Sequence, residues 1–335
     1  MTQKITLTGL LIMGLLATSC SNRATSFDLP SENTGFSGQI FYNNKVDVLF
    51  VVDNSKSMLQ YQQRLAARVS DMVSTLNSLK MDYRVAVTTT TMSTNTSTYP
   101  LSRKLVGSPV YLTAANINTL AERLIVGESG SDLERGLDAM RHVISPEYLS
   151  SINSDFIRAD ALFAVVFISD EVDMSSEYGN PNNNDFINYL NSRKPQFDSG
   201  ARAWIANYIG ILTNQSCDNL GGYVAIGTQF LKLVDESNGS KSSICNADLS
   251  AAVSNIKARI VDQLTAYRFP DMPNKATIQV TVGGRAISED AQNGWTLETE
   301  KGGSGQTIYI LKFHGTAIPA ADQYVDVKYK PAGAS

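Results

Sequence analysis

The stretch Val46-Asp47-Val48-Leu49-Phe50-Val51-Val52-Asp53-Asn54-Ser55-Lys56-Ser57-Met58 decides how this chain is read. An apolar, largely β-branched run of this length reads as a strand buried on both faces, as in a parallel sheet. It delivers three oxygen-bearing side chains, Asp53, Ser55 and Ser57, at alternate positions past its carboxyl end. Open α/β sheets bind their ligands at that edge. One carboxylate with two hydroxyls suits a hard divalent cation, which takes few protein ligands and keeps waters. Ser and Asp after a strand equally serve to cap a following helix, so the choice depends on what later segments bring to the same edge.

Working outward, Leu65, Val69, Met72, Leu76 and Leu79 recur at helical spacing and predict a helix with one apolar face. Met81 to Thr88 reads as a second strand, Val106 to Leu112 as a short third, and Ala114 to Val126 as a helix. Gly127 to Asp132 is a turn, with Ser131 or Asp132 the natural N-cap of a helix whose buried stripe is Leu133, Leu137, Met140 and Ile144. Ala161 to Ile168 is the strongest strand, and it ends at Ser169-Asp170-Glu171, again placing acidic groups at a carboxyl end. A helix near Phe186 to Leu190, a strand over Trp204 to Leu212, and a helix near Ala225 to Val234 follow. A last helix carries Leu249, Val253, Ile256, Ile260 and Leu264 on one face. Strands alternating with helices imply an α/β fold with a doubly wound, mainly parallel sheet over residues 44–268.

Beyond Phe269-Pro270-Asp271-Met272-Pro273 the helical period is gone. Ile278, Val280 and Val282 alternate, as do Trp295 and Leu297, Ile308 and Ile310, and Val325, Val327 and Tyr329. Gly283-Gly284, Asn293-Gly294 and Gly302-Gly303-Ser304-Gly305 punctuate them as turns. Residues 269–335 therefore form a small C-terminal antiparallel β domain.

The first residues speak to compartment. Lys4, the apolar run Leu7 to Leu16 and the small Ala17-Thr18-Ser19 make residues 1–19 a signal peptide, too short to span a bilayer as a mature helix. Leu16-Ala17-Thr18-Ser19-Cys20 resembles a bacterial lipobox, with Leu one place earlier than usual. That resemblance implies cleavage before Cys20 and lipid on its sulfur and amine; ordinary secretion is the alternative. Ser21 after Cys20 suggests outer-membrane sorting in a Gram-negative cell, and Ser-, Asn- and Gly-rich residues 20–43 read as a flexible tether. Cys217 and Cys245 remain as an even pair in an exported chain, read as a disulfide, with two buried thiols as the alternative.

Other classes fare poorly. The 335 residues are 43% hydrophobic and 18% charged with a net charge of −4, so the chain can build a core but offers no basic run for nucleic acid. His142 and His314 are the only histidines, and no His/Cys cluster has zinc spacing. There is no P-loop, dinucleotide fingerprint or G-x-S-x-G elbow. Acid/base work by Asp170 with Asp173 competes poorly with their place beside a metal motif.

Residues 44 to about 266, about two thirds of the chain, resemble a von Willebrand factor A domain. Asp53-Asn54-Ser55-Lys56-Ser57 fits that family's D-x-S-x-S metal-ion-dependent adhesion site. The resemblance assigns the family's second-loop Thr to Ser131, with Ser129 as competitor, and its second Asp to Asp170. In the turn around Asp170, Ser169 stands for the usual Thr and Glu171 for Gly. It implies Mg²⁺, or alternatively Mn²⁺ or Ca²⁺, held directly by Ser55, Ser57 and Ser131. Asp53 and Asp170 would act mainly through water, leaving one place for a partner's Asp or Glu. Glu171 and Asp173 are accessory carboxylates, and a second nearby cation is left open. The expectation is a membrane-anchored, non-catalytic binding protein for an extracellular or envelope protein or glycan. An envelope scaffold with a structural or absent metal is the first alternative, and a cation-using hydrolase the second.

Overall fold

A computed structural model describes residues 39–40, 42–197, 200–213, 217, 225–301 and 307–333. The expected signal peptide, Cys20, Ser21, nearly all of the expected tether and the turn expected at Gly302–Gly305 lie outside the described residues. The described chain opens on a two-residue strand, β1 (Gln39–Ile40), and then enters the central sheet. That sheet contains β2 (Lys45–Val52), β3 (Asp82–Thr89), β4 (Leu162–Ser169), β5 (Trp204–Gly210) and β6 (Lys241–Ser243), in the order β3-β2-β4-β5-β6. All pairings are parallel. Helices α1 (Leu59–Ala66), α2 (Val69–Ser78), α3 (Leu120–Leu124), α4 (Gly136–Val143), α5 (Pro146–Ser151), α6 (Asp185–Arg193), α7 (Thr228–Ser237) and α8 (Ser250–Thr265) cover its faces.

The period of two sorts β2 between two cores. Val46, Val48, Phe50 and Val52 pack with α1, α2, α3 and α8, whereas Leu49 and Val51 pack with α4, α5, α6 and α7. Each such fully buried side chain contributes roughly 1.5–3 kcal/mol. The doubly wound α/β sheet expected from the sequence is therefore the observed architecture. Cys217 and Cys245 form a disulfide, with Cα atoms 5.1 Å apart, tying the segment after β5 to the segment after β6. A loop of this size is worth about 3–4 kcal/mol in the chain-entropy account.

Four expectations are corrected. The helix carrying Leu65 to Leu79 is two helices, broken after Ala66, although Leu65, Val69, Met72 and Leu76 still share one buried face. Val106 to Leu112 is not a strand: Gly107 turns at φ +88° and Pro109 has no amide to donate. Val106 N donates to Val87 O at 2.8 Å and Leu112 forms an isolated bridge to Val85, with no ladder between them. The helix expected over Ala114 to Val126 shrinks to a 3-10 turn at Ile117–Thr119 running into α3. Finally, α4 starts at Gly136 rather than near Ser131, so Leu133 is exposed instead of lining its stripe.

After α8 the chain forms β7 (Tyr267–Phe269), β8 (Gln279–Val282), β9 (Arg285–Ile287), β10 (Trp295–Lys301), β11 (Thr307–Phe313) and β12 (Val325–Lys328). These make two small antiparallel sheets, β1-β12-β8-β9 and β10-β11-β7. Their core gathers Phe269, Val280, Val282, Trp295, Leu311, Phe313, Val325 and Val327. Gly283 and Gly284, at φ +55° and +81°, make the β8–β9 turn that a side chain would strain. Through β1 and Tyr42, residues ahead of the central sheet belong to this β unit.

Candidate metal centre

The three strands β3, β2 and β4 end side by side, and their carboxyl ends converge on Asp53. Its amide donates to Ile168 O at 2.9 Å, and Thr90 N donates to Val52 O at 3.2 Å, so both neighbouring ladders run to the edge. Asp53 is fully buried. Ser55 N donates to its Oδ1 at 2.8 Å and Ser169 Oγ donates to its Oδ2 at 2.7 Å. The Ser55 and Ser57 hydroxyls lie 3.4 Å apart, and the Ser57 hydroxyl opposes the rise in proton affinity that burial gives Asp170. The D-x-S-x-S turn and the Ser169-Asp170 turn thus meet around the Asp53 carboxylate.

The loop carrying Ser131 is docked onto the same turn through Asn54. Gly130 N donates to Asn54 O at 2.7 Å. Thr91 Oγ1 donates to Asn54 Oδ1 at 2.8 Å and accepts from Ser131 N at 3.0 Å. A Cβ on Gly130 would stand 2.5 Å from Asn54 Oδ1, so only glycine permits that approach. The Ser131 hydroxyl accepts from Leu133 N at 3.1 Å, and Ser129 is exposed. No hydrogen bond joins either hydroxyl to Ser55 or Ser57 among the described residues. The expected N-cap role of Ser131 or Asp132 is overturned. Asp173 accepts from Leu137 N at 3.1 Å, and Ser175 Oγ from Asp138 N at 2.8 Å, so α4 is capped from across the β4 loop. Asp173 also accepts from Ser175 N at 3.2 Å, which leaves both of its oxygens engaged away from Asp53.

Two residues the sequence reading missed complete the setting. Glu134 is fully buried and takes a hydrogen bond from Thr90 Oγ1. Gln62, also fully buried, donates to Asp53 O and to Gly127 O, each at 2.9 Å, and accepts from Gly127 N at 3.0 Å. It ties the loop before Ser131 to the end of β2. A signal existed for Gln62, which falls three before Leu65 on the apolar side of α1; Glu134 precedes α4 and carries no such periodic signal.

The charges do not balance. Asp53, Asp170, Glu134 and Glu171 act on one another, and no Lys, Arg or His forms an ion pair with any of them among the described residues. Burial, reinforced by Asp170, pushes Asp53 up to about 6. Burial and then Asp53 push Glu134 up to about 10, and burial with Asp53 and Asp170 brings Glu171 to about 7. Burial raises Asp170 as well, against the Ser57 hydroxyl. Asp170 Oδ1 and Glu134 Oε1 are shut off from solvent without a hydrogen-bond partner. Buried orphan acceptors are rare and call for an explanation such as a bound ion. No three His, Cys, Asp or Glu side chains among the described residues stand close enough to ligate one ion by themselves. The Ser55 and Ser57 hydroxyls are thus the donors a cation would have to use, and the set fits a hard divalent ion that keeps waters.

No family model and no curated protein sequence matches the chain. Among solved structures it overlaps the pilus adhesin SpaC of Lactobacillus rhamnosus GG at 12% identity and TM-score 0.41, covering 88% of this chain and 42% of that one. The ArnB paralog VWA2 of Sulfolobus acidocaldarius gives 12% identity and TM-score 0.33, with 86% and 63% covered. The pilus adhesin RrgA of Streptococcus pneumoniae gives 10% and 0.36, with 88% and 58% covered. The chain spans less than half of SpaC and under two thirds of the other two, and overlap at this level carries no argument of its own.

Proposed function

We propose that this chain is a cation-dependent binding protein of the cell envelope, holding a Mg²⁺-class ion in an adhesion-type site of a von Willebrand factor A-like domain. One observation carries the reading: a fully buried Asp53, oriented only by neutral donors, faces Asp170, whose Oδ1 has no partner. Ser55 and Ser57 would hold the ion directly, with Ser131 the third hydroxyl and Asp53 and Asp170 behind them. When bound, the ion offers an open coordination place to an acidic group of a partner protein or glycan; Mn²⁺ or Ca²⁺ suits the same oxygens. Ser55 N and Ser169 Oγ fix the Asp53 carboxylate, while Gly130, Thr91 and Asn54 fix the loop bearing Ser131. The assigned activity is capture without turnover.

Placement in the envelope rests on the signal-peptide and lipobox residues ending at Cys20 and is supported by the Cys217–Cys245 bridge, which suits an oxidising compartment. No helix among the described residues is long and apolar enough to cross a membrane. The test is thermal unfolding of the full chain with Mg²⁺, Mn²⁺ or EDTA, beside Asp53→Asn. The expected result is a metal-dependent rise in Tm that Asp53→Asn abolishes, with EDTA-sensitive attachment of cells displaying the protein. Identical melts with Mg²⁺ and EDTA would sink the reading.

A further inference from the structure

We infer that the cleft between the α/β domain and the β unit binds a small organic anion, a carboxylate on an apolar or aromatic stem, through Arg268 and Tyr42. The cleft lies at the amino edge of the parallel sheet, beside Lys45 and Asp160, which precede or open β2 and β4. The eight residues of β2, at roughly 3.3 Å each, separate it from the metal centre. The two sites are independent.

Two adjoining cavities of about 800 and 810 Å³ share Gln196, Ala201, Gln263 and Arg268, so Arg268 sits where they meet. This is the size range of small-ligand sites. Arg268 makes no ion pair among the described residues, and its side-chain hydrogen bond is a long one, 3.5 Å to Gln263 Oε1. The other cations nearby are spoken for: Lys45 by Asp160, Arg202 by Glu236, Arg259 by Asp262. Burial pulls Arg268 below its usual range, and Glu300, lining the neighbouring cavity, compensates it only from a distance. A half-buried guanidinium without a carboxylate is under-compensated, and its planar fork matches a carboxylate in two parallel hydrogen bonds.

The second observation is Tyr42, which lines the same cavity as Arg268. Its hydroxyl is shut off from solvent and has no partner. A buried hydroxyl left unpaired is destabilising, so the free protein keeps a donor idle beside an unpaired cation. Phe197, Leu264, Ala266 and Tyr267 supply the apolar wall. An inorganic anion would leave that wall unused, and a neutral amphiphile would leave Arg268 unanswered. An organic carboxylate answers both.

The test is calorimetric titration of the full chain with 4-phenylbutyrate, its neutral amide and acetate. The acid should bind at least tenfold more tightly than either control. Arg268→Gln should weaken it at least tenfold, while Asp53→Asn leaves it unchanged. Tyr42→Phe should weaken the acid several-fold yet raise the ligand-free Tm by about 2–4 °C, because it deletes an idle buried donor. That opposed pair of effects does not depend on how well Arg268→Gln folds. Equal affinity for acid and amide, no binding of the acid, or a Tyr42→Phe variant unchanged in both readouts would overturn the proposal.

Discussion

Strand β2 carries two aspartates that are both fully buried, Asp47 near its start and Asp53 just beyond its end. Their surroundings are opposite. Asp47 accepts from Arg158 N at 2.7 Å and from Arg158 Nε at 2.8 Å, and Lys194 adds a second positive charge. Burial raises its proton affinity and Arg158 pulls it back. Asp53 receives only neutral donors and looks onto Asp170, Glu134 and Glu171. At one end of the strand the protein supplies its own counter-charge; at the other it withholds one. A buried carboxylate without an internal counter-charge must take up a proton or an outside cation, and the proposed ion is the second of these.

The largest effect should come from the compensated end. Arg158→Ala strands Asp47 and also frees Asp82, to which Arg158 Nη1 bonds at 2.7 Å. Removing one member of a buried pair costs about 3–5 kcal/mol, or a Tm lower by about 10 °C. Mg²⁺ should neither worsen nor rescue it. Asp53→Asn should behave the other way. Its metal-free melt is expected at or above that of the parent, because a repelling charge is gone. The stabilisation from an ion at a hundred times its dissociation constant, about 2.7 kcal/mol, should vanish. If Asp53→Asn destabilises the metal-free protein as much as Arg158→Ala does, the contrast between the two ends fails.

Acidity offers a third handle. Asp53 at about 6 and Glu171 at about 7 stand above their unfolded values near 4. The folded, metal-free protein then binds more protons than the unfolded chain. Stability from these groups is complete below about pH 4 and is lost as pH climbs through 6 and 7. Metal-free Tm should fall between pH 5 and pH 8, and saturating Mg²⁺ should flatten the slope; a slope unaltered by Mg²⁺ would separate the acids from the ion. The smallest expected effect distinguishes the two serines of the docked loop. Ser131→Ala should weaken Mg²⁺ about tenfold by titration, and Ser129→Ala should leave it unchanged. Reversal of that order would move the third hydroxyl to Ser129.

What the sequence reveals follows from what each residue interacts with. Val46 to Val52 and Ala161 to Ile168 announce themselves because they are largely apolar and buried without interruption, and the face from Leu249 to Leu264 because its burial recurs at helical spacing. Strand β6, Lys-Ser-Ser, has no such pattern; pairing to β5 alone makes it a strand. Val106 to Leu112 shows the converse, an apolar run whose Gly107 and Pro109 deny it a ladder. Asp53, Ser55, Ser57 and Asp170 converge as their positions at strand ends suggest, since chain order places them on neighbouring carboxyl ends. Glu134 was hidden because α4 was expected to begin too early. Its true start depends on caps supplied by Asp173 and Ser175, far away in sequence.

The position of β2 has a mechanical consequence. Ahead of it the chain passes through β1 toward the amino terminus, and beyond it lies the metal-centre turn. A pull on the amino-terminal side, resisted by a partner held at that turn, runs along β2 itself. Because the load enters and leaves at β2's own two ends, its covalent backbone carries the tension, while the parallel ladders to β3 and β4 keep the strand seated in the sheet. On the proposed function, the strand that presents the site would also bear the tension of its use.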